Sequence, residues 1–184
     1  MTHPTSIRPA SDEYLAYYGK YIALVPDDQA LLALERQSQA MFPFLRGLSE
    51  AQGSLRYQPE KWSVKQVIGH VTDAERVFGY RALRFGRADF TPLPGFDENH
   101  YVANAAWDQQ PLSEMVDHLE QVRGATLAFF RSLGSDAWTR RGEANGAGVT
   151  VRALAFIIAG HGYHHMGVIK DRYLGVASVT AAQP

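Results

Sequence analysis

No stretch of this 184-residue sequence alternates apolar and polar residues over the length of a strand. Four stretches instead repeat apolar residues at the spacing of an amphipathic helix. The first follows VPDDQ and runs through ALLALERQSQAMFPFLRGL, with Asp27 or Asp28 placed to cap it. Pro43 falls inside this pattern and predicts a kink. The second, WSVKQVIGHVTDAERVFGYRALRF, opens on Ser63 and Gln66 at capping-box spacing and stops at Gly86. The third starts near Pro111 and reads LSEMVDHLEQVRGATLAFFRSLG. The fourth, VRALAFIIAGHGYHHMGVIKDRYL, is capped by Thr150 and stops at Gly175. The expected class is all-α: a four-helix bundle over residues 27–175 of a single domain, with an N-terminal extension (1–26) and a flexible tail (176–184).

Between the second and third helices lies GRADFTPLPGFDENHYVANAAWDQQ, too long for a passive turn. A connection of that length lets the chain cross the end of a bundle, so a simple up-down-up-down order does not follow. The third and fourth helices are joined by SDAWTRRGEANGAGV, in which NGAG has turn chemistry.

Lysines and arginines number 18 against 19 acidic residues, a formal charge of −1. Such balance offers no concentrated positive surface for nucleic acid or an anionic membrane. The absence of cysteine excludes disulfides, thiolate metal sites and cysteine nucleophiles. No apolar run approaches the roughly 18–20 residues that span a bilayer. The opening, MTHPTSIRPASDEYLAYYGKY, has no basic region followed by an apolar one. A cytoplasmic protein is expected.

The fourth helix carries three histidines where core residues belong. Leu154, Ile158, His161, His165 and Val168 fall on one face, so His161 and His165 continue the stripe that faces the bundle interior. His164 is turned about 100° away, towards the flank. On the second helix Val67, His70, Ala74 and Val77 share a face, and His70 also points inward. A core histidine is often only a hydrogen-bonded structural residue. Three inward imidazoles would nevertheless leave many ring nitrogens to satisfy, whereas H-x-x-x-H aims two of them at one cation. Asp73 is placed either to orient an imidazole or to sit at the surface, and Glu75 lies off the histidine face. His3, His100 and His118 have no matching geometry and read as surface or loop residues.

These motifs resemble the DinB/YfiT-like family of metalloenzymes. KWSVKQVIGHVTDAERVF, the long variable segment with PLPGFDENHYV, and GVTVRALAFIIAGHGYHHMGVI carry the resemblance, from about Leu31 to Tyr173. It implies a bundle of unusual topology with a divalent metal, zinc or nickel, held by His70, His161 and His165. It also implies homodimers and, in some members, a low-molecular-weight thiol such as bacillithiol or mycothiol as cosubstrate. Gly162 stands where an H-E-x-x-H helix carries its glutamate, which argues against ordinary metalloprotease chemistry. Three readings follow: a metal-dependent enzyme transferring groups to a small thiol, a metal-dependent hydrolase, or a bundle that the metal merely stabilises for binding a partner. Arg81, Asp97, Asn99 and Tyr101 are candidate contacts for a small-molecule substrate or anionic thiol; solvation or capping is the alternative for each.

Overall fold

In a computed structural model, residues 6–175 are described. His3 and the expected tail lie outside them. Four long helices carry the fold: α1 (Ala30–Arg46), α2 (Val64–Gly86), α3 (Leu112–Arg131) and α4 (Val151–Val168), the last continuing through π-helical turns over Ile169–Leu174. The Ser63–Gln66 capping box forms, and Thr150 accepts from the Ala153 amide. The predicted cap of α1 does not form. Gln29 occupies that position, because Arg36 takes the Asp27 carboxylate and Arg8 takes that of Asp28. Pro43 falls in the last turn of α1, which ends three residues later.

The helices pack in the ring order α1–α3–α2–α4, so α1 lies diagonal to α2, and α3 diagonal to α4. Side-chain pairings give the directions. Gln37 meets Gly162 and Phe44 meets Lys170, so α1 and α4 run parallel. Glu75 meets Arg123 and Gly86 meets Leu133, so α2 and α3 are parallel too. The pairs α1/α3 (Glu35–Arg131, Arg46–Glu120) and α2/α4 (His70–His161, Trp62–Tyr173) are antiparallel. Because α2 and α3 are parallel neighbours, the segment joining them must return along the bundle. It contains a short helix, Glu98–Asn104, whose N-cap Asp97 accepts from the Asn99 and His100 amides.

No alternating pattern marks a strand in the sequence, yet β1 (Arg141–Ala144) and β2 (Ala147–Thr150) form an antiparallel hairpin ahead of α4. Its turn is Asn145–Gly146, with φ of 55° and 71°, the left-handed pair that a two-residue hairpin needs. Strands of four residues are too short to display a period. Leu93 of the crossover pairs with this hairpin: its amide donates to the Glu143 carbonyl, and its carbonyl accepts from the Asn145 amide.

From Ser6 to Gln29 the described N-terminal residues form an arm packed on the bundle. Arg8 donates to the carbonyls of Ile22, Val25 and Asp27, closing the arm on itself. Glu13 binds Arg152 and accepts from the Thr150 hydroxyl, pinning the arm to the start of α4. At Gly160 the Tyr21 carbonyl comes so close that a Cβ would lie 2.1 Å from it.

At the bundle centre, Arg123 of α3 makes a bidentate pair with Glu75 of α2, at 2.7 and 2.8 Å. It also donates to the Ser38 hydroxyl, the Leu34 carbonyl and the Gln37 amide oxygen of α1. Both charged side chains are almost wholly buried. Removing one partner strands the other's charge, so Arg123→Met is expected to cost about 3–5 kcal/mol. The double variant Glu75→Leu/Arg123→Met should lose far less, and urea unfolding of the three proteins measures the difference.

Candidate metal centre

The upper half of α4, from Val151 to Ala159, is apolar and buried apart from Arg152, so the helix is fixed on nearly all sides before it reaches His161. His161 and His165, one turn apart, place their rings 4.4 Å from each other. Across the α2/α4 contact His70 supplies the third ring, 5.0 Å from His161 and 4.9 Å from His165. Trp62 packs beside His70, and Tyr21 edges against His161. The inward faces read from helical spacing are thus the faces that meet. His164 is turned aside, between Tyr21 and His165.

All three rings aim Nε2 at a common point. The His70 and His165 nitrogens each lie 3.1 Å from that of His161, and all three ligand atoms fall within 4.8 Å. Burial holds the rings neutral. Desolvation pushes His70 down to about 4, against the opposing pull of Glu98, and His161 and His165 fall well below the usual imidazole range, through desolvation first and repulsion from neighbouring cluster rings second. A neutral imidazole nitrogen carries either a proton or a lone pair. His161 Nε2 therefore cannot donate to one neighbour while accepting from the other. Three lone pairs turned on one cation remove the conflict. Metal–nitrogen bonds of about 2.0–2.1 Å would separate tetrahedral ligand nitrogens by about 3.3–3.4 Å, close to the 3.1 Å of the two contacts that His161 makes. The residues fit a divalent metal.

The outer surroundings differ from expectation. Asp73 touches none of the rings; it pairs with Arg76 at 3.2 Å, and burial raises its carboxyl. His165 Nδ1 is buried with no hydrogen-bond partner. At Gly162, where a zincin helix would carry glutamate, the Gln37 amide packs so closely that a Cβ would lie 2.3 Å from its nitrogen. Any side chain there would have to displace the Gln37 amide.

His70 and His161 line a cavity of about 360 Å³. Its other walls include Tyr17, Tyr18 and Tyr21 of the arm, Phe78 and Arg81 of α2, and Phe96 and Glu98 of the crossover. Arg81 is therefore in the site, as the sequence suggested. Asp97 is occupied as a helix cap, and Tyr101 lines a neighbouring groove with Arg76 and Tyr80. His118 contacts Arg76, and His100 stays at the surface beside Asn104. Sequence reasoning missed the arm's tyrosines and Glu98. The only signal was the tyrosine density of DEYLAYYGKY, in a segment with no helical period.

A family model described as the DinB superfamily matches residues 33–169. No curated protein matches the chain at a significant level. Among solved structures, YfiT from Bacillus subtilis, described as "a probable metal-dependent hydrolase with an unusual four-helix bundle topology", superposes with a TM-score of 0.66 at 16% identity. The match covers 94% of this chain and 98% of that one. The mycothiol-dependent maleylpyruvate isomerase superposes with a TM-score of 0.65 at 15% identity, over 78% of this chain and 59% of its own. At such identities the likeness is one of fold.

Metal analysis of protein purified without a histidine tag tests the centre. About one divalent ion per chain is expected; His70→Ala, His161→Ala and His165→Ala should each lose it, while His164→Ala should keep it. The depressed imidazoles also set a pH dependence for the metal-free protein. The unfolded chain takes up protons below 6.5 and the folded rings do not, so their contribution to stability is complete above that value. It drains away as the pH falls towards about 4, where folded His70 titrates. Denaturant unfolding between pH 7.5 and 4.5 should show this slope, flattened in His161→Asn.

Proposed function

This chain belongs to the DinB superfamily, and on that premise we propose that it is a metal-dependent enzyme acting on a small molecule, using a low-molecular-weight thiol as cosubstrate. The observation that carries the reading is the open side of the histidine cluster. His70 and His161 are at once members of the cluster and walls of a cavity large enough for a small substrate. A purely structural metal site would be closed by a fourth protein ligand. The ligand set His70, His161 and His165 suits zinc or nickel, both of which favour imidazole nitrogen. Bound there, such a metal would supply a Lewis acid that holds a thiol as its nucleophilic thiolate.

The chain's own residues do the rest. Burial of the three rings keeps their lone pairs free at neutral pH. Phe78, Phe96 and the tyrosines exclude water from the inner wall and leave an aromatic surface for an apolar acceptor. Tyr21 lines the cavity as a neutral phenol, raised beyond the ordinary range by burial and by Tyr17, whose hydroxyl lies 3.3 Å from its own. With no cysteine in the chain, the sulfur arrives with the cosubstrate.

One observation favours a second reading. Glu98 is a carboxylate on the cavity wall and could serve as general base for hydrolysis. The same proposal places the protein in the cytoplasm as a homodimer, which sedimentation equilibrium would check.

An electrophile panel (epoxides, activated alkenes, aryl halides) with several small thiols separates the readings. Thiol-dependent conjugation that disappears in His165→Ala but persists in Glu98→Gln is the expected result. Turnover without thiol that disappears in Glu98→Gln would establish the hydrolase instead. Loss of melting temperature on chelation, with no turnover of any kind, would leave only the structural metal.

A further inference from the structure

Arg81 stands on α2 eleven residues beyond His70, close to three whole turns, so both project from one side of the helix into the same cavity. Its residue exposure is 4%. A guanidinium stays charged at any ordinary pH, and burying one is unfavourable without an anion beside it. Among the described residues no carboxylate pairs with Arg81. Those nearby are engaged elsewhere: Asp73 with Arg76, Glu75 with Arg123, and Asp89 with Arg84. Glu98 lines the same cavity but stays exposed and forms no ion pair.

The side chain is nonetheless held firmly. Nη2 donates to the Pro94 carbonyl at 2.9 Å. The Phe78 and Phe96 rings flank the guanidinium at 5.8 and 5.9 Å. The positive charge is felt at Tyr18, where it opposes the rise that burial imposes on the phenol. Arg81 thus donates to the Pro94 carbonyl and engages the Tyr18 hydroxyl, which accounts for two of the five N–H groups that an arginine offers. A fixed fork with no carboxylate partner on a cavity wall is suited to receive a planar anion in bidentate fashion.

We propose that Arg81 is the docking point for a carboxylate on the substrate, the reacting end of the same molecule or of its partner lying at the three histidines. This deepens the enzymatic reading above and rests on it for the identity of the reacting end. The carboxylate site itself stands on the cavity geometry alone.

Two matched ligand pairs test it on the full chain by calorimetry, with and without bound zinc. One pair is 3-phenylpropionate and its amide; the other is 3-mercaptopropionate and its amide. In at least one pair the acid should bind at least about tenfold more tightly than its amide, as expected for a charge-assisted bidentate pair. Arg81→Gln should bring the acids down to the affinity of the amides and leave the amides unchanged, and Arg81→Lys should restore part of the preference. If Arg81→Gln does not fold, the acid-to-amide ratios of the wild type and of Arg81→Lys decide. Equal affinities in the wild type, or a preference that survives Arg81→Gln, would overturn the proposal. A carboxylate carried by the thiol appears as a gain on zinc loading that is larger for the mercapto acid than for its amide. One carried by the acceptor appears in the thiol-free pair alone. If zinc improves neither thiol, the thiol reading fails while the phenylpropionate pair still decides Arg81.

Discussion

A guanidinium sealed inside a helix bundle must have its donors met, and this requirement ties the molecule together at Arg123. Its fork closes on Glu75 of α2, and its remaining donors reach Leu34, Gln37 and Ser38 of α1. Gln37 in turn packs against Gly162 of α4, between the two paired histidines. One buried charge thereby fixes the axial positions of three helices and, through an amide, of the fourth. Apolar side chains alone tolerate small slips along a helix; a bidentate pair does not. Three nitrogens that must converge to about 3 Å need that kind of registration.

Most of the bundle and the histidine cluster could be read in the sequence, because both depend on helical periodicity. His70, His161 and His165 lie on faces that spacing alone identifies. The same arithmetic was blind to Glu75. It asks which residues join the main apolar stripe, and a helix in a ring has a second neighbour for residues off that stripe. The cap of α1 was misassigned for a related reason: Asp27 and Asp28 have capping chemistry, but arginines distant in sequence compete for their carboxylates. The hairpin and the tyrosine arm carry no period. They are fixed by contacts such as Leu93–Glu143 and Glu13–Arg152, which no local window contains.

The division of the cavity has a bearing on specificity. The histidines and Arg81 come from helices inside the span shared with the superfamily, residues 33–169. Tyr17, Tyr18 and Tyr21 come from the arm, which precedes that span. The histidine floor is thus drawn from the span that the family model matches, and part of the wall from the segment that precedes it. Substitutions at Tyr17 can reshape the cavity wall away from the rings, whereas Tyr21 itself packs against His161.

The ring order also bears on how the chain reaches this state. No two consecutive long helices form an antiparallel hairpin: α1 and α2 are diagonal, α3 and α4 are diagonal, and α2 and α3 run parallel across a return segment. The ordinary shortcut of bundles, in which adjacent helices zip together across a tight loop, is closed. Native contacts instead join distant parts of the chain, as His70 and His161 do across 91 residues. Each such contact requires a large loop to close before it returns any stabilisation. For a helical protein of this length, folding should resemble the slower assembly of mixed or β-rich domains, with the cavity among the last features to form.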